Sequence, residues 1–253
     1  MISRDMASTH NSKEILEKHN QETGGKVHTR FPPEPNGYLH IGHAKAMRFS
    51  FTLAEDYGGN CYLRFDDTNP EKENEEYINS IKNSVGWLGY KPYKITHTSD
   101  YFDKFYNWAL QLIKMGKAFV CHQTKPEMAQ SREQMTDSPY RNRSVEENLT
   151  LFENMRLGLY EEGECCLRLK VNMQHPNPCM RDPVAYRIKY HSHPHVGDKW
   201  CIYPTYDYTH SLADSIENIT HSLCTLEFEI RREIYYWTPD TLGIYKAFEW
   251  EYS

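Results

Sequence analysis

The sequence predicts an α/β fold with a parallel sheet, interrupted midway by an α+β module, and three observations predict it. Residues 27–99 alternate strand-like and helix-like stretches whose lengths require crossover connections. From about residue 100 the texture changes to an amphipathic helix, a polar stretch and short strands between turns. After residue 204 the apolar pattern of the first part resumes.

Each element has a local reason. Residues 1–25 are polar, end in Gly24-Gly25, and read as an arm or short helix without chemistry of its own. A strand over 27–31 enters a Pro/Gly-stiffened turn. A helix over roughly 40–57 follows, with Ala44, Met47, Phe51 and Ala54 at helical spacing and Tyr57-Gly58-Gly59 as its stop. A strand over 61–65 closes at Asp66-Asp67-Thr68-Asn69-Pro70. Tyr77, Ile78, Ile81, Val85 and Leu88 then line one side of a helix ending at Gly89. Residues 101–120 read as one amphipathic helix, and Ser144-Val145-Glu146-Glu147 as a capped helix start. Strands are expected over 165–171, 185–190 and 199–203. His191-Ser192-His193-Pro194-His195 reads as a solvent loop, because no cysteine or carboxylate supports a metal there.

Composition bounds the function classes. At 253 residues, 39% apolar and 25% charged, the chain has the make-up of a globular protein. It contains no apolar run near the ~20 residues that span a bilayer, and no apolar leader, so no membrane partner is expected. Seven irregularly spaced cysteines point to reduced thiols and a cytoplasmic setting, with Cys165-Cys166 as ordinary strand residues. The net charge of −6 leaves nucleic-acid binding open, since binding follows local patches. The basic clusters at 141–143, 168–170, 181–189 and 231–232 each read as solvated faces. A Gly-x-Gly-x-x-Gly fingerprint is absent, which argues against a nicotinamide or flavin dehydrogenase.

The most informative stretch is His28-Thr29-Arg30-Phe31-Pro32-Pro33-Glu34-Pro35-Asn36-Gly37-Tyr38-Leu39-His40-Ile41-Gly42-His43. His40 and His43 stand at a helix opening, where residues three apart share a face and where orphan N–H groups and the helix dipole suit a phosphate. A lone His-x-x-His is commonly a surface or structural pair, and zinc would need two more ligands. The full string resembles the nucleotide-binding signature of class I aminoacyl-tRNA synthetases, with the flanking residues 30–37 narrowing the likeness to the glutaminyl/glutamyl branch. Arg64-Phe65-Asp66-Asp67-Thr68-Asn69-Pro70 and Tyr203-Pro204-Thr205-Tyr206-Asp207-Tyr208-Thr209-His210 resemble two further blocks of that family. The likeness covers residues 26–253.

The resemblance implies a Rossmann-like catalytic domain in two halves, 26–100 and 206–253, after an arm over 1–25. It implies an inserted α+β domain over 101–205 that binds the acceptor end of tRNA. It implies activation of L-glutamine by ATP with Mg²⁺, then transfer to tRNA(Gln). ATP would be held by Glu34, Pro35, Asn36, Gly37, His40, Gly42, His43 and Lys45, with His40 and His43 catalytic. Glutamine would be held by Arg30, Asp66, Tyr206, His210 and Cys224, and no protein-ligated metal is expected. A carboxylate at a strand end is the simplest partner for an α-ammonium, which favours Asp66; as helix caps, Asp67 or Thr68 fit better. A tyrosine hydroxyl both donates and accepts, so Tyr206 suits a carboxamide.

Glutamate in that pocket would need a cation. Glutamyl enzymes of this type carry arginine where Cys224 stands, so a neutral position 224 favours glutamine, as do Thr209-His210 and Asn36. A Lys-Met-Ser-Lys-Ser-type loop and an anticodon-binding region are expected beyond residue 253, which makes the chain read as a catalytic-core fragment. Ile230 falls in a stretch that contacts the acceptor stem in relatives, yet lacks a polar reading group. The alternatives are glutamate activation, or a module that binds ATP or the tRNA acceptor without turnover.

Overall fold

The computed structural model describes residues 10–252. Its first elements are α1 (Lys13–Thr23), β1 (His28–Phe31), α2 (Ile41–Asp56), β2 (Asn60–Phe65), α3 (Glu75–Trp87) and β3 (Lys94–His97). Then come α4 (Phe102–Lys114), β4 (Ala118–Cys121), α5 (Lys125–Glu133), α6 (Val145–Arg156), β5 (Cys166–Leu169) and β6 (Val184–Ile188). The last are β7 (Ile202–Pro204), α7 (Tyr206–Ile216), β8 (His221–Thr225), α8 (Arg232–Leu242) and β9 (Phe248–Tyr252). The chain forms two compact units. One comprises the residues up to 67 with 72–98 and 210 onward, and the other comprises 68–71 and 99–209.

In the first unit β1, β2 and β3 form a parallel sheet in that order, with Arg30 beside Tyr62 and Arg64 beside Thr96. Strands buried on both faces are what crossover helices produce, and every residue of β1 is buried. One face packs Phe31, Leu63 and Phe65 against Met47, Phe51 and Ile81. The helical spacing of 47, 51 and 54 makes the inner stripe of α2, so Phe51→Ala would cost about 3–5 kcal/mol. The helix stops as its glycines require. Gly58 takes φ +60°, and a Cβ on Gly59 would sit 1.9 Å from the Val27 carbonyl oxygen. Strands β8 and β9 pair in parallel, and the Thr220 N–H donates to the His28 carbonyl (2.9 Å), tying that pair to β1.

The expected parallel α/β class is found, with several elements shifted or added. Strands β3, β4 and β9 and helix α5 went unread, being short or polar. The expected helix over 101–120 stops at Lys114, where Gly116 at φ +67° turns the chain into β4. Strand β7 begins at 202 rather than 199. The N-terminal arm is a helix from Lys13, capped by Ser12, and residues 1–9 of it lie outside the described residues. It is anchored, with the His19 ring stacked on Tyr245 at 4.0 Å and Asn11 bonded to the Lys246 backbone at both ends.

The second unit carries an antiparallel sheet ordered β4-β5-β6-β7, backed by α4 and α6. Two expectations fail here. His193 is buried (2% exposed) rather than in a solvent loop, because its Nδ1 accepts from the His195 and Val196 amides and its ring stacks on Tyr203. Arg168 is likewise fully buried rather than on a solvated face, donating through Nε to the Asp182 carbonyl (2.8 Å) and through Nη1 to Gln123 Oε1 (3.2 Å). No helix among the described residues is long and apolar enough to cross a membrane. The described cysteines are all free thiols.

Candidate active site

The candidate site of the first unit is built on the carboxyl ends of β1 and β2, where ligands bind in open parallel sheets. The turn after β1 is pinned from both sides. Pro33 O accepts the Asp66 N–H (3.0 Å), and Pro35 O accepts the Asn74 N–H (3.2 Å). Asn36 donates to Glu34 (2.5 Å), both side chains exposed, and Gly37 completes the turn into α2.

The two histidines do not simply share a helix face. His40 is the N-cap of α2 in extended conformation, and His43 is the third residue of the helix. His40 Nδ1 accepts the Gly42 N–H (3.1 Å), His43 Nδ1 accepts the His40 N–H (3.2 Å), and the ring centroids stand 4.0 Å apart. This is a reciprocal capping box made of imidazoles instead of hydroxyl and carboxylate. Because each Nδ1 is an acceptor, the neutral rings carry their proton on Nε2, which gives two N–H donors at the helix mouth. Burial, with His40 beside it, lowers the His43 pKa and keeps that ring neutral. Gly42 is required by this packing, since a Cβ there would meet His40 Cε1 at 2.9 Å. Lys45 is exposed one turn further along α2.

Asp66 lies just past β2, buried, with Oδ1 enclosed and lacking a hydrogen-bond partner. Burial, then Glu34, then Asp67 and Glu73, raise its carboxyl to about 7 against the opposing pull of Arg64. The carboxylates around Asp66 set a negative potential that Arg64 offsets only in part. The helix-cap alternative does not hold in this neighbourhood. Asn74 caps α3, and Asp67 bonds His97 Nδ1 at 3.0 Å.

Behind the sheet edge Arg30 is fully buried and densely bonded. Its Nε donates to Asp214 Oδ1 (3.0 Å), Nη1 to the Leu223 carbonyl (2.9 Å), and Nη2 to Ser222 Oγ (2.7 Å) and His210 Nε2 (2.5 Å). Arg64 binds the same Asp214 Oδ1 (2.5 Å) and Glu217 Oε2 (2.6 Å), while Tyr235 donates to Asp214 Oδ2 (2.8 Å). Burial works against the Asp214 carboxylate, but Arg30 and Arg64 overcome it and hold the group well below the usual range. Burial pulls His210 down to about 3, so its neutral ring accepts from Arg30 through Nε2 and carries the proton on Nδ1. Cys224 Sγ lies 3.7 Å from Arg30 Nη2, and burial pushes the thiol up to about 12. Position 224 is neutral as expected, yet the surroundings are not without a cation: Arg30 is there, its charge matched by Asp214.

The structure thus brings Arg30, His210 and Cys224 together, and sets Asp66 and the two histidines at neighbouring strand ends of the same sheet. Tyr206 belongs to the second unit, half-buried as the first residue of α7. Ile230 is exposed, 49% accessible. Sequence reading missed Arg64, Asp214, Glu217 and Glu249. Glu249 lies 3.7 Å from Cys224 Sγ; burial and Glu251 raise its carboxyl to about 8, and its Oε2 is buried without a hydrogen-bond partner. Arg64 stands inside a quoted block and Asp214 one helical turn past another, so a charged residue within an otherwise apolar strand or helix face was the available signal. Glu249 carried none, because only the β8–β9 pairing brings it to Cys224.

Comparison with known proteins places these features in a family. The family model described as tRNA synthetases class I (E and Q), catalytic domain, matches residues 26–253. A probable glutamine–tRNA ligase of Dictyostelium discoideum is 66% identical over 243 residues, which is 96% of this chain and 31% of that protein. The glutamine–tRNA ligases of Lupinus luteus and Rattus norvegicus are 60% and 54% identical, over 96% and 97% of this chain and 31% of each. The chain therefore spans about a third of the length of these relatives. Among solved structures, a glutamate tRNA ligase from Elizabethkingia meningosepticum aligns with a TM-score of 0.68 at 18% identity, covering 89% of this chain and 49% of that one. A glutamate-tRNA synthetase from Elizabethkingia anophelis gives 0.66 at 18%, covering 89% and 50%. These two likenesses show the fold.

Proposed function

The chain belongs to the class I tRNA synthetase (E and Q) catalytic-domain family, and from this premise we propose that it is the catalytic-core portion of a glutamine–tRNA ligase. It would activate L-glutamine with ATP and pass the aminoacyl group to the acceptor end of tRNA(Gln), in the cytoplasm. The observation that carries the choice of glutamine is the state of Arg30. Its guanidinium is already held by Asp214, Ser222, Leu223 and His210, and Cys224 beside it adds no second cation. A glutamate carboxylate entering there would find a charge already matched, and would be left undercompensated in a dry pocket. A carboxamide carries no such cost.

In this reading Asp66 receives the α-ammonium, for which the surrounding Glu34, Asp67 and Glu73 set an attractive potential. His40 and His43 present Nε2–H donors to the α-phosphate as charge accumulates on it. The capping box fixes those rings before the substrate arrives, which is the preorganisation that makes such donors effective. Mg²⁺, when bound with ATP, would neutralise the outer phosphate oxygens. Glu34 electrically belongs with Asp66, so its place in ATP binding is through the pinned turn rather than its charge. His210 would line the side-chain pocket, and the second unit would take the tRNA end.

The test is tRNA-dependent pyrophosphate exchange with glutamine and glutamate in competition. It is run on the 253-residue chain and on a chimera continued through a Lys-Met-Ser-Lys-Ser-type loop. Exchange that prefers glutamine supports the reading, and a preference for glutamate overturns it. The share of the relatives covered favours a second outcome for the chain by itself, ATP or acceptor binding without turnover. Exchange by the chimera alone would show that.

A further inference from the structure

Helix α1 stands apart from the strand ends that carry the site, yet its bonds converge on the turn between α7 and β8. Asn218 in that turn takes φ +54°. The Ile219 N–H donates to the Asp214 carbonyl (2.9 Å) and the Asn218 N–H to the Ser215 carbonyl (3.3 Å). This pair of bonds closes many helices, usually around a glycine. Helices α3, α4 and α6 do use glycine there, at Gly89, Gly116 and Gly158. The asparagine side chain of α7 has its own task. Its Nδ2 donates to Glu22 Oε2 (2.8 Å), which turns Oδ1 toward His19 Nδ1 (3.2 Å).

A carboxylate only accepts, so the amide orientation is fixed and His19 must donate through Nδ1. Burial lowers the pKa of His19 and keeps its ring neutral. That ring stacks on Tyr245 at 4.0 Å, and the Tyr245 hydroxyl donates to the Ile219 carbonyl (3.0 Å). The contacts therefore close a loop around the turn. We propose that His19, Glu22 and Asn218 are positioning residues for the amino-acid site, acting through the end of α7 on Asp214 and Glu217 and through these on Arg30.

The turn they hold carries both acids of the buried charge cluster. Asp214 supplies the carbonyl that closes the helix, and Glu217 immediately precedes Asn218. Asp214 Oδ1 accepts from Arg30 Nε (3.0 Å) and Arg64 Nη2 (2.5 Å). Glu217 accepts from Arg64 Nη1 (2.6 Å) and Thr96 Oγ1 (2.7 Å). A buried ion pair offsets its desolvation only at good geometry. A small displacement of this turn is therefore passed to the guanidinium groups. The turn lies at the amino end of β8, whereas ligands of such sheets bind at the carboxyl ends, so the three residues act at a distance.

This role rests on the reading of Arg30 as part of an amino-acid site, and the test separates the two. Asn218→Gly suits φ +54° and removes only the side-chain bridge. His19→Phe keeps an aromatic ring against Tyr245 and removes the donor. Solvent exchange of the Arg30 Nε–H and the Ile219 amide is followed by NMR in the 253-residue chain. Each substitution should speed both by roughly 2–12-fold, the worth of one neutral hydrogen bond. The double variant should match Asn218→Gly, since the two changes share a bond. Ile81→Val, a trim of the buried face of α3, should change neither. Should His19→Phe fail to fold, Asn218→Gly decides. Unchanged exchange, or equal acceleration by Ile81→Val, overturns the proposal. In the active chimera both substitutions should raise the amino-acid KM by a similar factor at constant kcat. A lower kcat at constant KM, the mark of fewer folded molecules, also overturns it. Faster exchange in a chimera that prefers glutamate would overturn the choice of glutamine and keep the positioning role.

Discussion

Asp214→Asn tests whether the buried charge cluster is held by balance or merely by hydrogen bonding. The substitution keeps the shape of the side chain. With the amide nitrogen turned toward the Tyr235 hydroxyl, the amide oxygen can still accept from Arg30 Nε and Arg64 Nη2, as Asp214 Oδ1 does at 3.0 and 2.5 Å. What is lost is one negative charge, leaving two buried guanidinium groups against Glu217. Removing one partner from a buried pair costs about 3–5 kcal/mol, because the remaining charge is left uncompensated. With a urea m-value of about 3 kcal/mol/M, the unfolding midpoint should fall by about 1–1.7 M. Asp240→Asn serves as the control. Its carboxylate pairs with Lys246 at 2.5 Å but is half exposed, so the change should stay within about 1 kcal/mol. The sharper comparison is Arg64→Met with Asp214→Asn. It leaves Arg30 against Glu217, one charge of each sign, while Thr96 still donates to Glu217 (2.7 Å). The double variant should be less destabilised than the sum of the two single ones. A loss below about 1 kcal/mol for Asp214→Asn, or strict additivity in the double variant, would refute the charge-balance account.

Three other outcomes follow from the site. His40→Ala should raise the activation barrier by about 2.7–4 kcal/mol with little change in glutamine KM, measured by pyrophosphate exchange in the active chimera; an equal loss in kcat and in glutamine affinity would point to a structural role. Gly42→Ala forces the His40 ring from its cap, so the exchange rate should drop while the unfolding midpoint shifts by no more than the ~1 kcal/mol worth of one cap. The Asp66 carboxyl, raised to about 7, must ionise to receive an ammonium, so the glutamine KM should fall as pH rises through about 7. For stability the sign is opposite: a carboxyl with a raised folded pKa holds more protons when folded, so its contribution declines between about pH 4 and 7. The difference between the unsubstituted chain and Asp66→Asn in urea unfolding at pH 5 and pH 8 isolates that term, and a pH-independent difference would count against it.

What was legible in the sequence was local. Strand β1, the turn and α2 could be read because their periodicity, prolines and glycines act within a few residues of one another. Asp66 could be placed because a strand end is a local event. The pairing of His40 and His43 was visible, but its form was not: helical spacing puts them on one face, whereas a side-chain cap turns His40 into extended backbone before the helix begins. Beyond that range the reading failed for a common reason. Cys224 was read as a neutral position that shares a ligand with Arg30 only through the resemblance, and the packing of β8 beside β1 shows that the Arg30 guanidinium stands next to it. Strand β9 was unreadable as a strand until its register with β8 was known, and with it Glu249 stayed hidden. His193 and Arg168 were read as solvated because polar residues usually are. Arg168 is buried by partners that meet it only in three dimensions, whereas His193 is fixed by the nearby amides of His195 and Val196 and covered by the more distant Tyr203 ring.

The contrast between Arg30 and Asp66 separates scaffold from site. Both are buried ionisable groups at the ends of adjacent parallel strands, one per strand. Arg30 meets an opposite charge and three neutral acceptors at hydrogen-bond distance, so its desolvation is offset within the protein. Asp66 meets like charges from Glu34, Asp67 and Glu73 that with burial outweigh the pull of Arg64, and one of its oxygens is enclosed without a hydrogen-bond partner, so its desolvation is not fully offset. A fold retains an uncompensated carboxyl at a strand end when something outside the chain completes it. A cation completes it best, since it satisfies the oxygen and cancels the local field in one step.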